Sequence, residues 1–193
     1  MGKVVVHKKR FVYEDFFKIE EAEVSFEKYN GQMSPPVRRL SFERGDAVAV
    51  IIFNSETEKV FLIEQFRYPT YGTDSGWLTE VVAGMVKKGE SPEETVRREV
   101  LEEVGYRVDC LTPIDTFYTS PGGSSERIFL FYTEVTNADR ITNGGGLELE
   151  HEDIRLIEYT LPKLWNALEA GDFHDAKTII ALMWLKNKIT VRR

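Results

Sequence analysis

Apolar and polar positions alternate in part over residues 18–29, which is the pattern of a strand with one buried face. Asn30-Gly31 follows directly and is a strong signal for a β-hairpin turn. Pro35-Pro36 marks a loop, and residues 37–43 then show the pattern of a returning strand. The chain is therefore predicted to begin with a small β subdomain over residues 1–45.

A continuous apolar run over residues 47–53 changes the pattern, because a strand that is apolar on both sides is buried on both faces. The run is too short to cross a lipid bilayer. Further strands are predicted at 60–66, 77–83, 107–118, 127–135 and 154–160. Together these segments indicate a second, larger sheet.

One helix is signalled at both of its ends. Ser91 is placed to cap its N-terminus, Pro92 suits the first helical position, and a glutamate stands at the third. Gly105 is the residue type that ends a helix, and it follows Val104 directly. The signals predict a helix that begins at Pro92 and ends at about Val104.

The C-terminal part of the chain completes the predicted fold. Two more helices are predicted over 161–170 and 175–188, and a mobile loop over 137–150, which contains three consecutive glycines. Strands on either side of a central helix, with helices at the end, predict an α/β fold with layers around a mixed sheet. This second domain is expected to span residues 46–193.

The composition is that of a globular protein. Of 193 residues, 42% are hydrophobic and 30% are charged, which excludes a long disordered tract. The chain has 25 basic against 32 acidic residues, so its net charge is −7, and its basic clusters are short. Since nucleic-acid binders carry a basic patch, we expect no nucleic-acid partner. A phosphorylated small molecule would need a few well-placed arginines or bound cations.

Cysteine and histidine are scarce. Cys110 is the sole cysteine in the sequence, which excludes an intramolecular disulfide and a multi-cysteine zinc site. The three histidines are scattered and argue against a histidine-rich metal site. The N-terminus lacks the long apolar segment of a signal peptide, so we expect a cytoplasmic protein with no membrane partner.

Three glutamates crowd one side of the helix predicted over 92–104. At about 100° per residue, Glu99, Glu102 and Glu103 fall within about 100° of one another. Their mutual repulsion is relieved if a cation lies there, and hard carboxylate oxygens suit Mg²⁺ or Mn²⁺. The alternative is a solvated acidic surface balanced by Arg97 and Arg98, and helix geometry leaves both open.

The same segment resembles the Nudix box. The pattern is carried, at the family's spacing, by Gly84, Glu90, Arg98, Glu99, Val100, Glu102, Glu103 and Gly105. Tyr106 stands where the family has an aliphatic residue, which is a departure at a packing position. The resemblance implies an α/β/α sandwich around a mixed sheet and a metal-dependent enzyme that cleaves a nucleoside diphosphate from its substituent.

The resemblance also implies roles for residues of the box. Glu99 and Glu103 would be direct metal ligands, and Ala83 would lend its backbone carbonyl. Glu102 would be a ligand or a partner of the ligands, and Arg98 would orient the carboxylates by ion pairing. The expected metal is Mg²⁺, with Mn²⁺ as the alternative.

Residues outside the box resemble the branch of ADP-ribose pyrophosphatases and GDP-mannose hydrolases. They are Arg39, Arg44-Gly45, Gln65-Phe66-Arg67 and residues 119–126. This branch forms homodimers with exchanged N-terminal domains, which we therefore expect. The substrate contacts that it implies are Phe16, Phe17, Arg39, Arg44, Arg67, Met85, Ser120, Pro121, Gly122, Glu126 and Lys177.

Each implied contact has a plain alternative. Phe16 or Phe17 would stack on the base from the partner subunit, or both are core residues. Arg39 and Arg67 would contact phosphate or the nucleoside, or are surface ion pairs. Glu126 would hydrogen-bond the terminal ribose, while the proline and glycines before it could form no more than a turn. Lys177 would contact phosphate or sugar, or it lies on a helix surface.

An acidic run over residues 148–153 follows the triple glycine, and by composition alone it is a solvated loop. In the resembling enzymes this loop closes over the substrate. The resemblance places the general base at Glu150 and a further metal ligand at Glu152. A shift of register by two residues would exchange Glu150 for Glu148, and the glycines at 144–146 would be the hinge.

The implied reaction is hydrolysis of a diphosphate bridge, in which ADP-ribose and water give AMP and ribose 5-phosphate. GDP-mannose or another sugar nucleotide is the first alternative substrate. A module that binds ADP-ribose without cleaving it is a second hypothesis, but such modules lose box carboxylates that this chain retains. A structural scaffold is a third, and it would leave the carboxylates unexplained. Motifs of kinases, Rossmann dehydrogenases and α/β-hydrolases are absent from the sequence.

Overall fold

The computed structural model describes residues 2–191, and the backbone divides into two compact units. The first unit holds the N-terminal segment up to Gly45 together with Tyr118–Arg127, and the second holds the remainder. The sequence predicts Tyr118–Arg127 in the second domain. The structure differs because this segment pairs with Phe42, whose amide donates to the Gly123 carbonyl at 2.8 Å and whose carbonyl accepts from the Ser125 amide at 3.3 Å.

The first unit contains an antiparallel sheet of three strands, β1 (Val4–Glu14), β2 (Lys18–Phe26) and β3 (Val37–Glu43), in that order. The two strands expected from the sequence are β2 and β3. Between them the chain turns back at Gly31, which has a φ of 78° and donates its amide hydrogen to the Lys28 carbonyl at 2.9 Å.

No sequence pattern predicts β1. Its centre is the polar run His7-Lys8-Lys9-Arg10. Its register against β2 also shifts between Val6 and Lys8 and between Phe11 and Tyr13. Each shift moves the following side chains to the other face of the sheet, so the strand lacks the regular alternation by which a strand is recognised.

The second sheet has seven strands in a mixed arrangement. They are β4 (Ala47–Asn54), β5 (Lys59–Phe66), β6 (Trp77–Glu80), β7 (Val82–Met85), β8 (Thr112–Tyr118), β9 (Arg127–Val135) and β10 (Arg155–Thr160). The main order is β10-β5-β4-β9-β8, with β6 paired to β5 and β7 paired to β4. β4 runs parallel to β9 and antiparallel to β5, which makes the sheet mixed, as predicted.

Within residues 2–191, three α-helices cover this sheet: α1 (Pro92–Val104), α2 (Leu161–Ala170) and α3 (Ala176–Val191). The side chains of β4 alternate between two cores. Ala47, Ala49 and Ile51 belong to the core with Leu164, Leu182 and Leu185 from α2 and α3. Val48, Val50 and Ile52 belong to the core with Val96, Val100 and Val104 from α1. Helices therefore lie on both faces of the sheet, which confirms the predicted α/β/α layers.

Two predicted strands differ in detail. Residues 77–83 form two strands, because the chain leaves β5 after β6 and pairs with β4 as β7. The strand expected over 107–118 begins only at Thr112. Tyr106 packs its ring 5.1 Å from that of Phe61 and is buried, which fits a packing position. Within the described residues, no helix is long and apolar enough to span a membrane.

Candidate active site

The carboxylates of α1 are set in place by the start of that helix. The Ser91 side chain accepts a hydrogen bond from the Glu94 amide, and the Glu94 carboxylate accepts one from the Ser91 amide at 2.8 Å. This capping box fixes where the helix begins and so which side of it each later residue occupies. Glu99 and Glu103 are one turn apart and buried, and Glu102 is half-buried. We call Glu99, Glu102 and Glu103 the carboxylate cluster.

Arg98 clamps this cluster from one side. Its Nη1 donates to Glu99 Oε1 at 2.8 Å and to Glu102 Oε2 at 3.0 Å. Its Nε and Nη2 donate to the two oxygens of Glu90 at 3.0 and 3.1 Å, and Nη2 also reaches the Met85 carbonyl at 3.3 Å. The hydrogen bonds from Arg98 lower the pKa of Glu90 to about 2. Arg98 therefore lies between Glu90 and two glutamates of the cluster, and its orienting role stays a prediction.

Glu103 carries a polar atom without a partner. Its side chain is 3% exposed, and among the described residues Oε2 is the buried side-chain atom that lacks a hydrogen bond. Burial raises the pKa of Glu103 well above its usual range, and the charges of Glu99 and Glu152 raise it further. Burial likewise raises the pKa of Glu99 to about 7 against the opposing effect of Arg98. A cation at this position would supply the missing partner.

Gly84 makes room for the cluster. A Cβ atom built on Gly84 would lie 1.8 Å from Glu99 Oε1, so no larger residue fits without moving that carboxylate. Gly84 and the preceding Ala83 belong to β7 and pair with Val48 and Ala49 of β4. The close approach therefore brings the backbone of Gly84 up to Glu99, and the resemblance places a carbonyl ligand at the neighbouring Ala83.

Side chains alone do not complete a metal site in the described part of the chain, which contains no group of three or more His, Cys, Asp or Glu residues arranged to hold an ion. Mg²⁺ in proteins is held by one or two carboxylates together with water and substrate phosphates. The buried glutamates, the unpartnered oxygen and the glycine cradle fit such a partly filled ligand set.

The triple glycine is bound to the end of α1. The Gly145 amide donates to the Glu103 carbonyl at 2.9 Å, and the Gly146 amide donates to the Glu102 carbonyl at 3.0 Å. Helix C-termini leave such carbonyls without partners, so these bonds act as a cap. The φ angles of residues 144–146 are all positive, which favours glycine. The segment expected to be a hinge is thus hydrogen-bonded to the C-terminal end of α1.

The loop brings one of its acidic residues to the cluster. Glu152 is half-buried, accepts a hydrogen bond from the Leu147 amide at 3.0 Å, and acts electrostatically on both buried glutamates. Glu150 is exposed and lies 3.6 Å from Lys87 Nζ. Glu148 is exposed as well. The structure therefore places Glu152 by the cluster, and the general base at Glu150 stays a prediction.

Arg67 and Lys177 meet at a residue that sequence reasoning missed. Arg67 donates from Nε and Nη2 to the two oxygens of Glu80 at 2.9 and 3.2 Å. Lys177 Nζ donates to Glu80 Oε2 at 2.6 Å. Glu80 is 2% exposed, so these are not surface ion pairs. The signal in the sequence is a lone glutamate directly before Val81-Val82, within the strand predicted over residues 77–83.

Several expected substrate contacts lie together in the first unit. Arg44 lies 5.9 Å from the centre of the Phe17 ring and 3.5 Å from Glu126 Oε1. Thr119 Oγ1 donates to Glu126 Oε2 at 3.0 Å. Phe16 is 88% exposed, so the alternative of a core residue is wrong for it.

The other predicted substrate contacts lie at exposed or half-buried positions. Arg39 is exposed and donates to the Arg38 carbonyl at 3.0 Å. Ser120 begins a turn in which its carbonyl accepts from the amides of Gly123 and Ser124, at 3.0 and 2.9 Å. The exposed Pro121 and Gly122 lie inside this turn. Met85, in the second unit, is half-buried at the end of β7.

Comparison with known proteins identifies the family of the chain. Residues 43–181 match the NUDIX domain. The ADP-ribose pyrophosphatase of Escherichia coli (strain K12) is 40% identical over 178 residues, which cover 91% of this chain and 84% of that protein. The GDP-mannose pyrophosphatase of Cronobacter sakazakii is 34% identical over 181 residues, 93% of each chain.

The fold also matches a crystal structure described as an ADP compounds hydrolase, with a TM-score of 0.75 over 98% of this chain and 96% of that one, at 21% identity. The matched NUDIX region contains the carboxylate cluster, its arginine clamp and the glycine cradle. The chain therefore belongs to the NUDIX domain family and is a Nudix hydrolase.

Proposed function

We propose that this enzyme hydrolyses the diphosphate bond of ADP-ribose to give AMP and ribose 5-phosphate. The observation that carries the proposal is the buried carboxylate cluster with an unpartnered oxygen on Glu103. The name and similarity of the E. coli relative support the substrate, since 40% identity extends over 91% of this chain. The cytoplasmic location inferred from the sequence stays a prediction.

The metal ligands would be the carboxylates of Glu99, Glu103 and Glu152 and the carbonyl of Ala83. When bound there, Mg²⁺ would neutralise the bridging phosphates and lower the pKa of the attacking water. Arg98 holds Glu99 and Glu102 in place before the substrate arrives, which reduces the reorganisation needed during the reaction. Mn²⁺ stays the alternative, because it prefers the same oxygen ligands.

A base on the 148–153 loop would take the proton of the water. Glu150 is our candidate because it is exposed and its partner, Lys87, is also solvent-exposed, so the pair separates at little cost. The hydrogen bonds at Gly145 and Gly146 anchor the start of the loop, and its tip would move toward the phosphates. Glu148 is the alternative base.

The substrate's two ends would be recognised by different side chains. Phe16 or Phe17 would stack on the base, and Glu126, beside the Ser120-Pro121-Gly122 turn, would accept hydrogen bonds from the terminal ribose. The charged oxygens of the diphosphate would bind the basic side chains of Arg39, Arg44, Arg67 and Lys177. Met85 would line the ribose end. The exposed Phe16 ring supports a stacking role, because an aromatic side chain with 88% exposure stabilises no core.

A homodimer would complete the first unit. Val4 pairs with Phe26 and Val6 pairs with Val24, which itself pairs with Val37, so all five side chains share one face of the three-stranded sheet. Val4 is 63% exposed and Val6 is 55% exposed. A three-stranded sheet with one exposed apolar face needs a partner surface, and the same face of a second copy would supply it. The N-terminal domains would be exchanged in this dimer.

GDP-mannose is the second candidate substrate. The GDP-mannose pyrophosphatase of Cronobacter sakazakii is 34% identical over 93% of both chains. Lys177 is a half-buried cation next to Arg67 through their common partner, and it would serve a diphosphate in either substrate. The mechanism would be unchanged, because the carboxylate cluster acts on the diphosphate that both substrates share.

The test is a side-by-side turnover assay of ADP-ribose and GDP-mannose with Mg²⁺ and with identification of the products. We expect kcat/KM for ADP-ribose to be at least tenfold higher and AMP and ribose 5-phosphate to be the products. Glu103→Gln should lower kcat by about a thousandfold while the circular-dichroism spectrum is unchanged. A Glu103→Gln enzyme within tenfold of wild type would contradict the role of the cluster, and faster turnover of GDP-mannose would overturn the substrate assignment.

A further inference from the structure

We propose that Glu80 is a positioning residue that holds Arg67 and Lys177 as a pair of cations directed at the substrate's diphosphate. The inference rests on the proposed function, because it assigns these two cations to the phosphates. It adds a buried carboxylate outside the Nudix box that acts on the substrate only through them. We call Arg67, Glu80, Asp175 and Lys177 the Glu80 cluster.

The contact between Arg67 and Glu80 leaves one edge of the guanidinium free of Glu80. Nε and Nη2 of Arg67 bind the two carboxylate oxygens, so Nη1 is not used in this pair. The Arg67 side chain is 36% exposed, whereas that of Glu80 is 2% exposed. Because Glu80 binds the Nε and Nη2 edge of the guanidinium, the edge that carries Nη1 is held in one orientation and is available to bind an anion.

Lys177 is held from a different element. It donates to Glu80 from the first turn of α3 and also lies 3.0 Å from Asp175 Oδ1. Asp175 accepts hydrogen bonds from the amide and hydroxyl of Thr178, at 3.0 and 2.5 Å, and thereby caps the same helix. Lysine is a flexible side chain, so two carboxylates are needed to keep its ammonium group in one place.

The backbone around Glu80 is locked to the same helix. Val81, between β6 and β7, donates its amide hydrogen to Thr178 Oγ1 at 2.9 Å. The end of β6, which carries Glu80, and the N-terminus of α3 are thus joined by a hydrogen bond as well as an ion pair. Arg67 follows β5, which pairs with β6. Three elements converge on one buried carboxylate.

The Glu80 cluster is also close to the carboxylate cluster in electrostatic terms. The charge of Arg67 acts on Glu103, and that of Glu103 acts on Arg67. A buried carboxylate costs free energy unless it is paired, and apolar side chains would fill the same space at lower cost. Packing alone therefore does not explain a charged residue at position 80. We infer that Glu80 keeps two cations beside the site where phosphates would bind.

The experiment compares Glu80→Gln with wild type in the Mg²⁺-loaded enzyme, using ADP-ribose turnover and calorimetric binding of AMP. Glutamine keeps the shape of glutamate and removes its charge. We expect KM to rise at least tenfold, AMP binding to weaken at least fivefold, and kcat to change less than threefold. The control for a loss of stability alone is Val60→Ala, which removes buried side-chain volume near the start of β5, away from Arg67 at the other end of that strand, and should lower Tm without changing KM.

A combined variant shows whether Glu80 acts through Arg67 and Lys177. In the Arg67→Gln/Lys177→Gln background, adding Glu80→Gln should raise KM by less than a further threefold, because both residues being positioned are already gone. Independent, multiplicative effects would overturn the inference, and so would an unchanged KM in Glu80→Gln. If Glu80→Gln does not fold, Glu80→Asp keeps the charge but cannot reach both cations, and KM should rise at least threefold.

Failure of the proposed function would look different. A wild-type enzyme that turns over no nucleoside diphosphate sugar would refute that function whatever Glu80 does. Normal wild-type turnover with an unchanged KM in the Glu80 variants would leave the function standing and remove the role of Glu80.

Discussion

At the scale of single residues, the site contains buried glutamates, one of which has a side-chain oxygen without a hydrogen-bond partner. Arg98 serves Glu99 and Glu102, but Oε2 of Glu103 has no hydrogen-bond donor. A buried, unsatisfied polar atom costs about 1–3 kcal/mol. The chain keeps this cost at the position where the proposed metal would bind, which is typical of a functional site.

Gly84→Ala tests how tightly the cluster is fitted. The added Cβ would overlap the Glu99 carboxylate, so that carboxylate must move out of the site. We expect about tenfold or greater loss of metal affinity and of kcat/KM, which is the usual range when the support of a metal ligand is disturbed. Mn²⁺ titration and steady-state kinetics measure the two effects.

Gly72→Ala is the matched control, because a Cβ on Gly72 would meet nothing within 4 Å. It should leave metal affinity and kcat/KM within twofold of wild type. Equal losses in the Gly84 and Gly72 variants would show that the cradle has no special role.

At the scale of elements, α1, which carries the carboxylate cluster, is fixed at both ends by different means. Its N-terminus is capped locally by Ser91 and Glu94. Its C-terminal carbonyls are bound by the amides of Gly145 and Gly146, more than 40 residues further along the chain. The first device is visible in the sequence because cap and helix are adjacent, whereas the second requires the fold to bring the glycines to the helix.

Gly146→Ala should displace Glu152 and thereby weaken metal binding. Gly146 has a φ of 84°, and its Cβ would lie 2.6 Å from that of Glu152. We expect kcat to fall about tenfold and metal affinity to drop by a similar factor. The left-handed backbone adds a loss of about 1–2 kcal/mol in the free energy of unfolding, measured by chemical denaturation.

Gly145→Ala separates the two effects. Its φ of 107° imposes comparable backbone strain, but the nearest atom to its Cβ would be 3.9 Å away. This variant should lose stability like Gly146→Ala and lose less activity. Identical kinetics in the two variants would contradict the role of Gly146 in placing Glu152.

At the scale of the whole molecule, the proposed dimer follows from the exposed apolar face of the first sheet. Val6→Asp places a charge in the middle of this face, next to Val24. In a two-fold interface the same charge would appear on both subunits and the two would repel each other. We expect a monomer at micromolar concentration, as measured by analytical ultracentrifugation, and a loss of ADP-ribose turnover if the first unit contributes to the partner's site.

Met183→Asp is the control for this prediction. Met183 is 57% exposed on α3, outside the first sheet. The variant should sediment like the wild type. A dimer that survives Val6→Asp, or that dissociates on Met183→Asp, would place the interface elsewhere.

Features that depend on neighbours along the chain could be predicted from the sequence. The capped helix, its three glutamates, the buried run of β4 and the three helices are all local patterns, and the structure confirms them within residues 2–191. The Nudix box could be recognised for the same reason, because its functional residues lie within one turn-and-helix segment.

Features that join distant segments could be found only in the folded structure. Glu80 meets Lys177 across 97 positions, the bulged β1 forms only by pairing with β2, and Tyr118–Arg127 groups with the first unit through Phe42. The pattern of apolar and polar residues along the sequence indicates which face of a strand or helix is apolar. It does not indicate which distant residue neutralises a buried charge. That choice is made when the elements pack, because only then is the charge removed from water and a partner required.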